Sequence, residues 1–167
     1  MATWFLLLSQ VSVLTFGLLA GVFLAFSDFI MRALANTSKD GGVEAMQVIN
    51  REVFRYVFMS LFIGMAPVSL VIAGYGAFQL SGPTATLIAL SGAVYLVAGF
   101  GVTLAFNVPL NEALARMDPA CEQTHRFWFD TYLPRWTFWN GVRTAACFAS
   151  SALLLFGLSW VSQSPSM

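Results

Sequence analysis

Residues 56–111 read YVFMSLFIGMAPVSLVIAGYGAFQLSGPTATLIALSGAVYLVAGFGVTLAFNVPLN and contain no Asp, Glu, Lys, Arg or His. A helix needs roughly 20 apolar residues to cross the hydrocarbon layer of a membrane, so this stretch has room for two spans. Gly82 and Pro83 supply the turn between them, because glycine and proline interrupt helices. The stretch therefore predicts two antiparallel membrane helices, near residues 56–79 and 84–107.

Two further charge-free stretches flank this segment, from Met1 to Ser27 and from Thr144 to the end of the chain. They predict spans near residues 4–27 and 138–161. Backbone polar groups cannot stay unpaired in lipid, and the sequence lacks the alternating strands of a β-barrel, so we expect helices. The predicted fold class is all-α: a single integral membrane domain, residues 1–167, forming a four-helix bundle with up-down-up-down topology.

The composition excludes a water-soluble domain. Apolar residues make up 58% of the chain and charged residues 10%, against roughly 25% charged residues in soluble proteins. The formal net charge is zero, which gives no basic excess for nucleic acid. The lipid bilayer is the expected partner, and Cys121 and Cys147 are predicted to be free thiols.

All charged side chains fall in two windows, Asp28–Arg55 and Glu112–Arg143. In the predicted topology these windows are the connections after the first and third spans, so both lie on one side of the membrane. Because all eight Lys and Arg residues are there, the positive-inside rule predicts that this side is cytoplasmic. We expect a multi-pass protein of the plasma (inner) membrane with both termini outside.

Amphipathic helices are predicted to cap the cytoplasmic side. Apolar residues recur at helical spacing between Gly42 and Val57, so we expect an amphipathic helix that runs on into the second span. In the second connection, a helical face that includes His125 and Trp128 is expected to turn toward the bundle, and Pro134 is expected to end that helix. Gly17 and Gly21 share a face of the first span and predict close packing against another helix.

Asn107 and Asn111 stand one helical turn apart at the cytoplasmic end of the third span. Pro109, between them, frees the carbonyl of Ala105 from its helical partner. The two amides are candidates for binding a polar ligand atom. The alternative is that they satisfy the broken helix end itself.

One helical face at the start of the fourth span carries Trp136, Trp139, Asn140 and Arg143, at spacings of i, i+3, i+4 and i+7. An arginine this close to the hydrocarbon needs a carboxylate, carbonyl groups or an anionic ligand, because an unpaired buried charge is unfavourable. The two tryptophans are equally typical of the aromatic belt at a membrane interface.

Asp28 and Arg32 stand at i, i+4 at the end of the first span, and Gln47 and Asn50 follow on the amphipathic helix. Such an Asp–Arg pair is usually a weak surface ion pair. Asp28 is nevertheless the deepest acid of the first window, within topological reach of Arg143. Asp28 and Asn50 are therefore further candidates for binding a substrate.

His125 is the only histidine of the chain, so no metal centre built from several His and Cys ligands is predicted. A haem bound by His125 and one of the seven methionines is left open. Histidine commonly accepts protons at neutral pH, which makes His125 the candidate general base. A structural role, as a hydrogen-bonded histidine at the membrane interface, would explain the presence of His125 equally well.

The run Asn107–Asn111 (NVPLN), followed about 25 residues later by Trp136–Arg143 (WTFWNGVR), resembles the anthrone oxygenase-like family of small four-span membrane proteins. The resemblance implies an oxygenase that oxidises anthrones to anthraquinones, acting on a flat, apolar, acidic C–H or phenolic substrate without a dedicated cofactor. The residues that match the family are Asn107, Asn111, Trp136, Trp139, Asn140 and Arg143, with His125 as a weaker correspondence.

The hypothesis that follows is a pocket under the cytoplasmic cap that admits a lipophilic aromatic from the membrane. Phenylalanine residues and the tryptophans Trp128, Trp136 and Trp139 would stack against the ligand. His125 would remove a proton, and Asn107, Asn140 and Arg143 would hold the developing oxyanion. The carbanion would then reduce dioxygen directly.

Two rival interpretations fit the same residues. In one, the protein is a non-catalytic scaffold whose polar cap binds lipid headgroups or a partner, and in the other it binds haem. The sequence also leaves open whether the protein forms a homo-oligomer.

Overall fold

The computed structural model describes residues 1–163 and is all-α over that range, which confirms the predicted fold class. Four of its five helices are long and apolar enough to cross a membrane. The long helices are α1 (Thr3–Ala35), α3 (Val57–Gln79), α4 (Gly82–Ala115) and α5, which starts at Glu122 and ends with the stretch Leu133–Gln163. The shorter α2 is Lys39–Glu52.

Contacts between the ends of α1 and α3 show that these helices are antiparallel. Phe5, at the start of α1, stacks on Tyr75, near the end of α3, with 3.7 Å between ring centroids. Toward the other end of α1, the ring of Phe23 packs edge to face against the ring of Phe58, which lies at the start of α3. The first charged window therefore lies at the end of the bundle where α3 begins. Hydrogen bonds from Gln47 to Leu114 and from Asn140 to Phe23 bring the second window to the same end, which we call the charged end.

Helix α5 packs between α1 and α4. Ser151 donates a hydrogen bond of 2.9 Å to the carbonyl of Val13 on α1, and Ser91 of α4 donates one of 2.8 Å to the carbonyl of Ser150. These bonds let the hydroxyl groups enter the apolar interior with their polar atoms satisfied.

The closest helix contacts use glycines other than the predicted pair. A Cβ atom on Gly76 would lie 2.6 Å from the backbone nitrogen of Ala89, so α3 and α4 approach there too closely for any side chain. A Cβ atom on Gly21, in contrast, would meet nothing within 4 Å. The predicted close packing at Gly21 is therefore wrong, and this glycine faces open space.

Three of the long helices extend past the predicted spans, and each of these contains one or more wider π-helical turns. These turns are Phe26–Ile30 in α1, Tyr95–Gly101 and Thr103–Asn107 in α4, and Trp128–Tyr132 in α5. Such turns are frequent at functional sites.

Pro134 does not end the helix before the fourth span, contrary to the prediction. Proline clashes with the carbonyl four residues earlier, which here belongs to Asp130, inside the π-helical turn Trp128–Tyr132. A wider turn gives that carbonyl room, so α5 continues. Pro109 follows the turn Thr103–Asn107 in the same way.

Helix α2 lies across the charged end as a separate element. The backbone at Tyr56 is extended, with φ −127° and ψ 179°, so α2 does not run on into α3 as predicted. Its apolar face, with Val43 and Met46, is buried in a cluster at the charged end. Gln47 donates hydrogen bonds of 2.8 and 2.9 Å to the carbonyls of Leu114 and Met117, at and just beyond the end of α4. The carbonyl of Leu114 also accepts from the N–H of Met117, so the amide adds a second bond there, and it satisfies the carbonyl of Met117 just past the helix end.

Candidate functional site

A cavity of about 290 Å³ lies at the charged end beneath α2, and all five helices contribute to its wall. Its size is close to the lower end of the range, roughly 300–1,000 Å³, that is typical of small-molecule pockets. Its polar lining residues are Asn50 of α2, Thr103 and Asn111 of α4, and Arg143 of α5. The rest of the wall is apolar and includes the aromatic residues Phe23, Phe26, Phe54, Phe58 and Trp136.

Arg143 gives this cavity a positive charge and is only 6% exposed. Its Nη2 donates a hydrogen bond of 2.6 Å to Oδ1 of Asn140, and its Nη1 lies 3.4 Å from Oγ1 of Thr103. Within residues 1–163 its Nε has no hydrogen-bond partner, and no carboxylate lies within ion-pair distance. The guanidinium is therefore buried without a counter-charge and retains a free donor.

Two aromatic rings flank the guanidinium. Its Cζ lies 4.4 Å from the ring centroid of Phe23 and 5.2 Å from that of Trp136. Each contact is a cation–π interaction, worth about 2 kcal/mol when the cation is desolvated. The rings partly offset the cost of burying the charge, and they hold the guanidinium plane against the aromatic wall.

Asn140 fixes the position of Arg143 and does not line the cavity. Its Oδ1 accepts from Arg143, while its Nδ2 donates to the carbonyl of Phe23 at 2.6 Å and to Oγ of Ser27 at 2.5 Å. The amide is completely buried. Since each half of the amide is committed to a different helix, Asn140 ties α1 to α5 beside the arginine.

Asn111 is the centre of a second polar network. Its Oδ1 accepts hydrogen bonds of 2.8 Å from both the hydroxyl of Tyr132 and Nε1 of Trp136. The same hydroxyl accepts a bond of 3.3 Å from Nδ2 of Asn50. Because two donors fix Oδ1 of Asn111, the amide NH₂ group of this cavity-lining residue is left to serve a ligand.

Asn107 adjoins the cavity wall without lining it. Its Nδ2 donates a bond of 3.3 Å to the carbonyl of Trp136, and within the described part of the chain its buried Oδ1 has no hydrogen-bond partner. Asn107 therefore connects α4 to α5 behind the site.

The structure places four predicted site residues away from the cavity. His125 does not line the cavity; its largely buried ring lies in the cap, with Nε2 2.7 Å from Oδ1 of Asp40 and 2.9 Å from the carbonyl of Pro119. Trp128 is buried in the cap and stacks on Tyr132. Trp139 stacks on Phe106 at 3.7 Å, and Phe106 is partly exposed on the bundle's surface.

Asp28 is the fourth of these residues. Its side chain is exposed, and in residues 1–163 it forms no ion pair with Arg32 or Arg143. The predicted contact between the deepest acid and the buried arginine is therefore not present.

Sequence reasoning missed Thr103, predicted phenylalanines in the wall without identifying which ones, and assigned Tyr132 no role at the site. The chain contains 16 phenylalanines, so nothing in the sequence distinguishes those that line the cavity. Across residues 1–163 there is no group of three His, Cys, Asp or Glu side chains placed to hold a metal ion. Haem binding by His125 stays a prediction.

The family model described as Anthrone oxygenase matches residues 51–153 of the chain. This range is more than half of the sequence and contains Thr103, Asn111, Trp136 and Arg143. Neither a curated protein nor a solved structure matches the chain.

Proposed function

The chain belongs to the anthrone oxygenase family, and from that premise we propose that it binds a flat, lipophilic, anthrone-like or phenolic molecule in the cavity beneath α2 and promotes its reaction with dioxygen. The proposal includes a membrane-embedded site, a substrate that enters from the lipid, and catalysis by the side chains of this chain.

The observation that carries the proposal is the burial of Arg143 without a counter-charge. An unpaired buried cation is unfavourable, so such a residue is typically retained because a ligand or a transition state supplies the missing anion. An oxyanion on the ligand would accept from the free Nε of Arg143. The NH₂ group of Asn111 offers a second donor from another side of the cavity.

The wall of the cavity favours a flat aromatic ligand. Phe23, Phe26, Phe58 and Trp136 present rings that can stack on a planar molecule or meet its edges. Few polar groups line the cavity, so a heavily hydroxylated or multiply charged metabolite would leave most of its polar atoms unpaired.

The proposed reaction converts a CH₂ group beside a carbonyl-bearing ring system into a ketone. Loss of a proton gives an anion whose charge is shared between the carbon and an oxygen, and Arg143 holds that oxygen. The carbon transfers an electron to dioxygen and bonds to it, and uptake of a proton gives a hydroperoxide. The remaining hydrogen of that carbon and the terminal hydroxyl then leave as water. One oxygen atom ends in the new carbonyl and the other in water.

The residues that line the cavity supply electrostatic stabilisation and no general base. Within the described range, none of them is a carboxylate or a histidine. We propose that the proton leaves to water at the cavity mouth, driven by the stability of the anion beside Arg143. The predicted role of His125 as the base is not part of this scheme.

We propose that the cavity opens at the junction of α2 and α3. Phe54, which lines the cavity, is 65% exposed, and its neighbours Tyr56 and Val57 are similarly exposed. Such an apolar, aromatic rim suits the boundary between headgroups and hydrocarbon. We propose that the substrate enters there, that the charged end is cytoplasmic by the positive-inside rule, and that both termini are on the other side.

The test is oxidation of anthrone by the purified full-length protein in nanodiscs, followed by dioxygen uptake and by the absorbance of anthraquinone. The native protein should accelerate the reaction, and Arg143→Gln should lower kcat/KM by at least 100-fold. Arg116→Gln is the matched control, because Arg116 is exposed and paired with Glu112. Equal rates for the native protein and Arg143→Gln would refute the proposed role of the arginine. No acceleration by the native protein would refute the oxygenase itself.

A further inference from the structure

A long groove runs along the outside of the bundle between α1 and α5. Its wider part, of about 890 Å³, lies at the charged end and is lined by residues that include Ser27, Arg32, Phe138 and Gly141. Its narrower part, of about 560 Å³, continues toward the middle of the bundle. The two parts share Ser27, Gly141 and Ala145, so they form one continuous groove.

The groove exists because small residues leave space where helices usually interlock. Cβ atoms on Gly21 and Gly141, which both line it, would meet nothing within 4 Å. From Gly17 to Ala35 the groove follows 19 residues of α1, and its two ends lie about 27 Å apart at the helical rise per residue. That length spans most of the hydrocarbon layer, and it fits an extended acyl chain.

Arg32 stands at the charged end of this groove and lines its wider part. Its side chain is exposed, and within residues 1–163 no carboxylate lies within ion-pair distance of it. The guanidinium is thus free to bind an anion at the level where lipid headgroups lie. We propose that the groove between α1 and α5 binds an anionic glycerophospholipid, with an acyl chain along the small residues and the phosphate on Arg32.

Charge argues against a second copy of the chain as the occupant. Two copies in one membrane share the same orientation, so a symmetric pair is related by a two-fold axis along the membrane normal. Packing through this groove would then bring Arg32 of one copy close to Arg32 of the other. Like charges without a counter-ion oppose that contact, whereas a phosphate between the helices neutralises the arginine.

The groove is separate from the cavity that holds Arg143. Phe23 and Phe26 face the cavity, whereas Gly21, Leu24 and Ser27 face the groove. The bonds from Asn140 to Phe23 and Ser27 close the wall between them. A lipid in the groove is therefore distinct from the substrate, and the inference does not depend on the proposed oxygenase activity.

The experiment is native mass spectrometry of the purified full-length protein, titrated in detergent with phosphatidylglycerol or with phosphatidylcholine. The native protein should bind phosphatidylglycerol more tightly than phosphatidylcholine. Arg32→Gln should weaken phosphatidylglycerol binding about fivefold, which corresponds to one basic residue at the membrane surface, and leave phosphatidylcholine unchanged. Arg51→Gln is the control, because Arg51 is also exposed and lies outside the groove.

A second pair of variants tests the acyl chain. Gly141→Leu should fill the groove and weaken binding of both lipids, while Gly64→Leu, at an equally open position on α3, should not. Indistinguishable lipid binding by Arg32→Gln and Arg51→Gln would overturn the proposal. So would a native dimer without retained lipid that Gly141→Leu converts to a monomer, because the groove would then bind a second copy.

Discussion

Nε1 of Trp136 donates a hydrogen bond of 2.8 Å to Oδ1 of Asn111, although the two residues lie 25 positions apart in the chain. This bond joins the two motifs that stand out in the sequence, one near the end of α4 and one within α5, at the start of the predicted fourth span. Trp136 also flanks Arg143 with its ring. A single side chain thus connects the amide network, the buried arginine and the wall of the cavity.

The two tryptophans of the second motif should therefore respond differently to substitution. Trp136→Phe removes the hydrogen bond to Asn111 and part of the stacking surface, so we expect KM for an anthrone substrate to rise about tenfold. Trp139→Phe changes a ring that stacks on Phe106 outside the cavity, so KM should stay within twofold of the native value. Steady-state kinetics of both variants checks this. Equal effects would show that the ligand does not contact Trp136.

Arg143→Met should separate ligand binding from stability. The substitution removes two hydrogen bonds from the arginine, but it also removes an uncompensated buried charge. We therefore expect the free energy of unfolding to change by no more than about 1 kcal/mol. Binding of a phenolic ligand, measured by isothermal titration calorimetry, should fall at least 100-fold.

Loss of the folded state in Arg143→Met would contradict this interpretation, because it would make Arg143 a structural residue. Thr103→Val is the companion variant. It removes the long 3.4 Å contact to Nη1 and keeps the charge, so ligand affinity should change by less than fivefold.

The architecture could be predicted from the sequence because it follows from quantities that a sequence contains. Charge-free length predicts the number of spans, and the confinement of all charges to two windows predicts a single charged end. The amphipathic cap follows from periodicity, although its separation from α3 at Tyr56 does not. Extended backbone at one residue leaves no compositional trace.

The candidate site was predictable in part. Arg143, Asn111 and Trp136 could be identified because a charge and amides near the hydrocarbon are unusual, and those residues line the cavity. The full lengths of α4 and α5 could not be predicted, because the sequence does not show where a π-helical turn replaces a regular α-helical one. Because such a turn precedes Pro134, the prediction that this proline ends the helix, which assumes regular α-helical geometry, places the helix end too early.

Helix α2 should protect the cavity, and Gln47 should hold it there. Gln47→Ala removes both hydrogen bonds to the carbonyls of Leu114 and Met117, which should cost about 1–3 kcal/mol because two bonds are lost and the carbonyl of Met117 is left without its donor. We expect faster hydrogen exchange in residues 39–52 and little change in α3. Val48→Ala, at an exposed position on the same helix, is the control. Unchanged exchange in Gln47→Ala would mean that the apolar face of α2 alone keeps the cap in place.

His125→Ala tests the sequence-based assignment of the general base against the position of the ring. His125 bonds to Asp40 at 2.7 Å away from the cavity, and although the imidazole is largely buried, Asp40 is about half exposed, so the pair should contribute about 1 kcal/mol. We expect His125→Ala to keep kcat within threefold of the native value, with a small loss of thermal stability. Asp40→Asn should reproduce that loss, and the double variant should add little, because both residues belong to one contact. A 100-fold loss of kcat in His125→Ala, with native stability and with Asp40→Asn unaffected, would instead place the imidazole in the reaction. The cap would then have to move toward the cavity during turnover.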